Sequence, residues 1–430
     1  MTLRDRLASL EHFGIKLGLD SMHILVEALQ HPERAYRTVH VAGTNGKGSV
    51  CAMVSTGLRA AGYRTGVYTS PHLDRIEERI AVDGAPVASE AFDAALAEVF
   101  AAIDRLQHSG RLSVTPTFFE VVTATALVAF RRAGVSIAVI EVGLGGRMDA
   151  TNVVTPIATA VTSIAFDHER HLGFTLASIA FEKAGISKPG VPMVMGALPD
   201  EAGVVVEAQA QAMQAPLIHV GDAVRVVHDD AGTCVVRCGS WGPAGELRLS
   251  LAGRHQGTNA ATAVALLRVI DAAGVTVPPH AVADALTRAT WPGRLEWITV
   301  GSGHLLIDAA HNPSGAAALA RYLTDARMAP MPMALVVMED KVLEGIVGPL
   351  GPHVSHWWCT QVPMARSRTH DGLARAVRAL FPGTPVSSTP DPLDAIHAAL
   401  HAQGRAMAAG SIYFIGPARA RLLASDDASI

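Results

Sequence analysis

Cysteine is scarce, at four in 430 residues, and the spacings of Cys51, Cys234, Cys238 and Cys359 fit neither a zinc ribbon nor a redox C-x-x-C motif. Ordinary packing in a reducing compartment is their expected place. The N-terminal stretch interrupts its apolar residues with Arg4, Asp5, Arg6 and Glu11, so no signal-peptide core is expected. No apolar run approaches the roughly eighteen residues that span a bilayer, and a soluble, cytoplasmic protein is the expectation. A formal charge of −4 supplies no basic field, which argues against nucleic acid as a bulk partner and leaves any anionic ligand to local positive groups. No repeat, low-complexity linker or guanine-reading N-K-x-D motif is apparent. What is present is a hydrophobic share of 49% and a length suited to two or three domains.

Val39 to Val50 read VHVAGTNGKGSV, an apolar strand followed by a glycine-rich turn and an alanine-rich helix. Gly43, Gly46 and Gly48 free the backbone to turn its N–H groups inward. The helix beginning near Gly48 adds the positive end of its dipole, Lys47 can reach outer phosphates, and Ser49 can ligate Mg²⁺. The spacing departs from G-x-x-x-x-G-K-[ST], because Val41 replaces the first glycine and Gly48 separates Lys47 from Ser49. A plain glycine turn accounts for the glycines but not for a lysine and a serine on the first helical turn.

Strands alternate with helices along the chain, which predicts a mostly parallel sheet covered on both faces. Strands are expected at Thr65 to Tyr68, Ile137 to Val142, Ile157 to Ile164 and Val191 to Met195, with a helix from Phe118 to Arg132 turning Phe119, Val122, Ala126 and Phe130 to one face. Short alternating runs at Val224 to His228, Cys234 to Cys238 and Leu247 to Leu251 suggest a small antiparallel sheet, followed by a helix from Asn259 to Ile270. Trp291-Pro292-Gly293-Arg294 marks a boundary, giving domains 1–290 and 291–430. Beyond it, strands are expected at His304 to Ile307, Ala334 to Met338, Ser355 to Thr360 and Ile412 to Ile415, with a helix from Ser314. Ligands gather at the carboxyl ends of such strands.

Four constellations lie at those ends. Glu141 closes a strand before a glycine run, as an acceptor for a neighbouring loop or as a Mg²⁺ ligand. Asp167-His168 ends the next strand. Lys183, in Glu182-Lys183-Ala184-Gly185-Ile186, reads by default as a solvated helix lysine. Asn259, Arg294, Asp308 and His311 are polar residues able to close over a nucleotide, although Asp308 equally suits a cap partner and Arg294 a surface ion pair.

Taken in order, these segments resemble the folylpolyglutamate synthase and dihydrofolate synthase family, within the ATP-dependent Mur ligases. The matching stretches are GTNGKGS (Gly43 to Ser49), TSPHL (Thr69 to Leu73), TFFE (Thr117 to Glu120), EVGLGGRMDATN (Glu141 to Asn152), Asp167-His168, EKAGI (Glu182 to Ile186), GRHQGTNA (Gly253 to Ala260), WPGR (Trp291 to Arg294), DAAHNP (Asp308 to Pro313) and GSIYFIG (Gly410 to Gly416). The resemblance implies a P-loop, Mur-ligase-like α/β domain with a mostly parallel sheet, binding ATP and pterin. It implies a smaller Rossmann-like C-terminal α/β domain for glutamate ligation.

It further implies an enzyme that joins L-glutamate to dihydropteroate and to reduced folates through an acyl phosphate, with ATP and two Mg²⁺ ions. By that resemblance Gly43, Thr44, Asn45, Gly46, Lys47, Gly48 and Ser49 hold the ATP phosphates, and Asn259, Arg294 and Asp308 contact the nucleotide. Ser70, Glu141 and His168 match metal ligands, and Lys183 matches a lysine carried as a carbamate. His311 and Ser411 match residues near the reacting groups. Gly14, Ile15, Lys16 and Leu17, with Thr117, Met148, Asp149 and Ala150, match the pterin surface of bifunctional members.

The family's G-M-x-x-D-K-D pattern is altered here to Val337-Met338-Glu339-Asp340-Lys341-Val342. The alternatives are a monofunctional folylpolyglutamate synthase, a peptidoglycan-precursor Mur ligase, an NTPase switch, and a ligase-like protein that binds nucleotide or folate without turnover. A monomer is expected.

Overall fold

The computed structural model describes residues 2–13, 18–222, 224–228, 234–424 and 428–429. The chain divides into two compact units, the first formed by Met1–Val226, Val236–Leu247 and Thr258–Thr290, the second by Val227–Val235, Arg248–Gly257 and Trp291–Ile430.

The first unit holds eight strands: β1 (Arg37–Ala42), β2 (Thr65–Tyr68), β3 (Ile80–Val82), β4 (Ala85–Pro86), β5 (Ile137–Glu141), β6 (Ala158–Val161), β7 (Met193–Met195) and β8 (Leu217–His219). Their order is β4-β3-β2-β5-β1-β6-β7-β8. The run from β2 to β8 is parallel, and the hairpin β3–β4 adds an antiparallel edge. β1 lies between β5 and β6, buried from Thr38 to Ala42, so its loop leaves from the interior of the sheet.

The helix Phe118–Arg132 has the predicted bounds but not the predicted amphipathicity, since every residue from Glu120 to Phe130 is buried. A second helix, Ser89–His108, packs against it, so both of its faces find apolar neighbours. Phe130 lies over Gly66 of β2, where a Cβ would stand 2.8 Å from the ring. Truncating such a buried ring to alanine costs about 3–5 kcal/mol. The helix starts where Thr117 and Glu120 form a capping box, the Thr117 hydroxyl accepting from Glu120 N at 3.3 Å and Glu120 Oε2 accepting from Thr117 N at 2.7 Å.

Three short strands, β9 (Arg225–His228), β10 (Cys234–Arg237) and β11 (Leu247–Arg248), form a separate sheet in the order β11-β10-β9. All four cysteines are buried free thiols. The helix predicted from Asn259 is longer, spanning His255–Ala272.

The second unit carries β12 (Glu296–Val300), β13 (Gly303–Ile307), β14 (Met331–Leu335), β15 (Val354–Cys359), β16 (Val386–Ser388), β17 (Arg405–Ala409) and β18 (Ala428–Ser429). They are ordered β16-β15-β14-β17-β13-β12-β18. β13 to β16 pair in parallel through β17, and β12 pairs antiparallel with β13 and β18.

The strand expected at Ile412 to Ile415 is instead the start of the helix Ile412–Ala424, and the strand is β17 just before it. Composition misleads here because Ile-Tyr-Phe-Ile favours strands and Arg-Ala-Met-Ala-Ala favours helices. Tertiary packing decides otherwise. Ala406 to Ala409 lie fully inside the sheet, while Phe414, Ile415, Ala418 and Leu422 bury one helical face. Gly410 makes the change of direction at φ +105°, and a Cβ there would stand 2.1 Å from the Val336 carbonyl.

Candidate active site

The loop leaving β1 is shaped by close approach. A Cβ on Gly43 would stand 2.0 Å from Thr162 Oγ1, and one on Gly46 2.3 Å from Asn259 Oδ1, with φ +149° and +85° at the two glycines. Gly46 is the N-cap of the helix Lys47–Ala60 and brings no side-chain acceptor to its first turn, so the positive end of the helix is turned toward the loop. Thr44 and Asn45 are clamped by the strand end that follows β6. Thr44 N donates to the Ser163 carbonyl at 2.7 Å, Asn45 N to Ser163 Oγ at 2.9 Å, and Thr162 Oγ1 donates to the Asn45 carbonyl at 2.7 Å. Sequence reasoning missed Thr162 and Ser163. Their signal is two small hydroxyl residues ending the strand beside the phosphate loop.

Two ammonium groups converge on one carbonyl. Lys47 Nζ donates to Gly43 O at 3.1 Å and to Thr44 O at 3.3 Å, and Lys183 Nζ donates to the same Gly43 O at 2.9 Å. Lys183 is therefore not the solvated side chain that its alanine-rich helix suggests; it is 5% exposed. Burial first, and then the Lys47 charge, push its pKa down to about 7, opposed by Asp167 and Asp149. Glu141, also buried, ends β5 with Oε1 3.8 Å from Lys47 Nζ and Oε2 accepting from Ser70 N at 3.3 Å. His168 precedes the short helix Glu169–Leu172 at φ +53°, half exposed and 3.9 Å from the Asp167 carboxylate.

Among the described residues no group of three or more His, Cys, Asp or Glu side chains gathers into a metal cage. One buried carboxylate beside serines suits Mg²⁺, which keeps several waters and shares phosphate oxygens rather than filling an all-protein site. The loop beside Glu141 is locked in turn to the Lys183 helix. A Cβ on Gly146 would stand 2.9 Å from the Glu182 and Lys183 carbonyls, Arg147 pairs with Glu182 at 2.8 Å, and Asn152 Nδ2 donates to Arg147 O at 3.0 Å and to Gly185 O at 3.1 Å.

Of the substrate-side residues, Asp149 is buried, and burial raises its pKa against several hydrogen bonds. Its Oδ2 accepts from Leu144 N at 2.8 Å and its Oδ1 from Thr151 N at 3.0 Å. Met148 beside it is half-buried and Ala150 is buried. Thr117 caps its helix, as above. Gly14, Ile15, Lys16 and Leu17 lie outside the described residues.

In the second unit Asp308 acts as a brace. Its Oδ2 accepts from Leu295 N at 2.9 Å and its Oδ1 from Ala310 N at 2.8 Å, tying the loop after β13 to the Trp291–Arg294 turn. Burial raises its pKa, and the Arg294 guanidinium acts in the opposite sense. Arg294 is half-buried, with Nη1 3.4 Å from the Gly293 carbonyl. His311 Nδ1 lies 2.8 Å from the Ala309 carbonyl, which can only accept, so Nδ1 carries a proton. Ser411 is buried, and its carbonyl accepts from Phe414 N and Ile415 N at 3.1 Å as the following helix begins.

A protein of Bacillus subtilis (strain 168) named dihydrofolate synthase/folylpolyglutamate synthase is 34% identical over 95% of this chain and 96% of its own length. The chain belongs to that family. Residues 293–412 match the Mur ligase, glutamate ligase domain. Escherichia coli FolC solved with DHPP and ADP is similar at TM-score 0.85 and 30% identity, covering 98% of each chain. A bifunctional folylpolyglutamate synthase/dihydrofolate synthase solved with Mn, AMPPNP and L-glutamate is similar at TM-score 0.83 and 30% identity, again over 98% of each.

Against the dihydrofolate synthase/folylpolyglutamate synthase pattern, the altered loop after β14 keeps its cation. Lys341 is mostly buried, 3.7 Å from Asp340, and Arg366 lies 3.8 Å from the same carboxylate and over the Tyr413 ring. Val342, where the family pattern has its second aspartate, is 58% exposed and is the N-cap of the helix Leu343–Leu350, with no side-chain hydrogen bond to the helix. The family's fold, a mostly parallel α/β sheet followed by a C-terminal α/β unit, is the one found here.

Proposed function

We propose that this chain is an ATP-dependent ligase that joins L-glutamate to dihydropteroate and extends reduced folates, acting as a cytoplasmic monomer. The observation that carries this reading is the pair of lysines on Gly43 O beside buried Glu141, a phosphate site with a carboxylate for a metal ion. The first unit takes ATP and the pterin, and the second takes glutamate. Relatives solved with DHPP, ADP, AMPPNP, Mn and L-glutamate support the substrate set.

A carboxylate is a poor acyl donor because an oxide would have to leave. The substrate carboxylate oxygen attacks the γ-phosphorus of ATP, ADP departs, and the resulting acyl phosphate has phosphate as its leaving group. Lys47 and the first-turn N–H groups of its helix neutralise charge that develops on the transferred phosphoryl. Ser49, Ser70, Glu141 and His168 would hold Mg²⁺, which supplies further charge neutralisation on phosphate oxygens. The glutamate amine then attacks the acyl carbon and phosphate leaves. We assign acceptance of the amine proton to His311, whose ring is oriented by the Nδ1 hydrogen bond to the Ala309 carbonyl. Asn259, Arg294 and Asp308 are assigned to the nucleotide, Ser411 to the reacting groups, and Gly14 to Leu17 with Thr117 and Met148 to Ala150 to the pterin.

Lys183 is proposed to carry a carbamate. Its amine attacks carbon dioxide and loses one proton, which requires the neutral form, and burial makes that form available near neutral pH. The test is ADP release with ATP, glutamate and either dihydropteroate or tetrahydrofolate, with product masses. Ligation to tetrahydrofolate alone would reduce the protein to a folylpolyglutamate synthase. ADP release without glutamate would mark a switch, and no release with either acceptor would mark a binding protein.

A further inference from the structure

His40 sits inside β1, three residues before Gly43, with no exposed surface. Burial, and then the charge of Lys188, push its pKa down to about 3, so the ring is neutral. Its Nε2 lies 2.8 Å from Thr151 Oγ1, and the Thr151 hydroxyl in turn donates to Asp149 Oδ1. Both Asp149 oxygens accept, Oδ2 from Leu144 N and Oδ1 from Thr151 N, and the Thr151 hydroxyl donates to Oδ1 as well, so its single proton is committed to Asp149. The proton between Thr151 and His40 must therefore come from Nε2, which leaves Nδ1 as a bare acceptor, buried and without a hydrogen-bond partner.

An unpaired ring nitrogen in a buried strand is a cost that an apolar residue would remove, as Val39 and Val41 do on either side. The cost is offset by the bond at the other nitrogen. That bond opens a continuous chain: His40 Nε2–H to Thr151 Oγ1, Thr151 O–H to Asp149 Oδ1, and Leu144 N–H to Asp149 Oδ2 at 2.8 Å. One end is in the strand that presents the phosphate loop. The other is in the glycine run after Glu141, and the turn Met148–Ala150 lies between them.

We infer that His40 is a positioning residue for the pterin side, fixing the Met148–Ala150 turn, through Thr151, to the strand that carries the phosphate loop. The inference rests on the proposed assignment of that turn to the pterin. His40 itself, wholly enclosed, touches no substrate in this role.

The test uses the full-length protein, with steady-state kinetics on dihydropteroate and calorimetric binding of ADP. His40→Leu and Thr151→Val should each raise KM for dihydropteroate about tenfold or more while the Kd for ADP changes less than about twofold. The double variant should be no worse than the poorer single one, because both break the same chain. His40→Gln places an amide N–H about where Nε2–H stands and should bring KM back to within about threefold of the wild type. If His40→Leu does not fold, Thr151→Val, which removes one hydroxyl at constant shape, carries the same test. Equal loss of ADP and dihydropteroate affinity, or an unchanged KM, would overturn the inference. A wild-type protein inert toward dihydropteroate would instead overturn the functional assignment, and the inference with it.

Discussion

The loop after β1 and the loop after β13 are both strand-end loops with a buried carboxylate nearby, yet they spend their charges differently. In the first, Thr162 and Ser163 grip Asn45 through neutral groups while Lys47 and Lys183 donate to Gly43 O beside Glu141, so that three charged side chains converge on a small space. In the second, the charge holds the shape: each Asp308 oxygen accepts a backbone N–H, from Leu295 or Ala310. A charged residue at a strand end is thus no single signal. In the first loop neutral groups share the bracing with the lysines, whereas in the second the carboxylate supplies two of the bracing bonds itself.

The largest test of that contrast is Lys47→Ala. The Lys47 side chain is 15% exposed and donates to two loop carbonyls beside Glu141, so the variant should lose about 1–2 kcal/mol and melt a few degrees below the wild type while remaining folded. ADP release should fall by on the order of 10²–10³, the loss expected when a donor to developing charge is removed. Circular dichroism melting and turnover on the same preparation check both halves, and near-normal turnover would remove Lys47 from the chemistry.

Lys183→Ala should lose most activity as well, and regain part of it with added acetate or formate, because a short carboxylate can replace the missing anion. Full activity in protein whose Lys183 carries no added CO₂ by intact mass would sink the carbamate assignment. The unmodified lysine also predicts a pH dependence of stability. Its folded pKa of about 7 lies below the ordinary 10.5, so between those values the unfolded chain binds a proton that the folded chain lacks. Stability should rise with pH through that window and be lowest below it. Urea melts of carbon-dioxide-free protein should show this slope, and Lys183→Met should lose it.

Asp308→Asn tests the other side. The amide sets an N–H donor against one of two buried backbone N–H groups, at a cost of about 1–3 kcal/mol. The scanning-calorimetry transition of the second unit should shift down, with turnover falling in step. Abolished turnover with an unchanged melt would leave Asp308 only its assigned nucleotide contact and remove the brace. The smallest expected effect is a gain: Val342→Asp supplies an N-cap to the helix Leu343–Leu350 and should add about 0.5–1 kcal/mol, read as a melting temperature about 2 °C higher.

Periodicity and breakers made much of the fold readable. Thr65 to Tyr68 and the helix near Phe118 to Arg132 are legible, because an apolar run with clear stops at both ends leaves little freedom. Ile412 to Ile415 failed because its neighbours' small size, and not its own propensity, decides which segment enters the sheet. At the site, Lys47 announced itself through the glycines around it. The burial of Lys183 did not, since an alanine-rich helix is silent about which face is covered until Gly146 and Gly185 are seen to let the glycine run in. Thr162 and Ser163 offer only the faint signal of two hydroxyl residues at a strand end, because their work is done on Asn45, more than a hundred positions earlier.

The carbonyl shared by Lys47 and Lys183 has one more consequence. Carbamylation would turn the group at position 183, an amine whose pKa of about 7 leaves it partly charged near neutral pH, into an anion within reach of an oxygen that Lys47 also holds. Beneath the same loop, a surplus of positive charge that attracts phosphate would become a place for a cation to sit. The gas dissolved in the buffer would then set the sign of that spot. Degassing a sample, or opening it to air, would count for this protein alongside its magnesium supply.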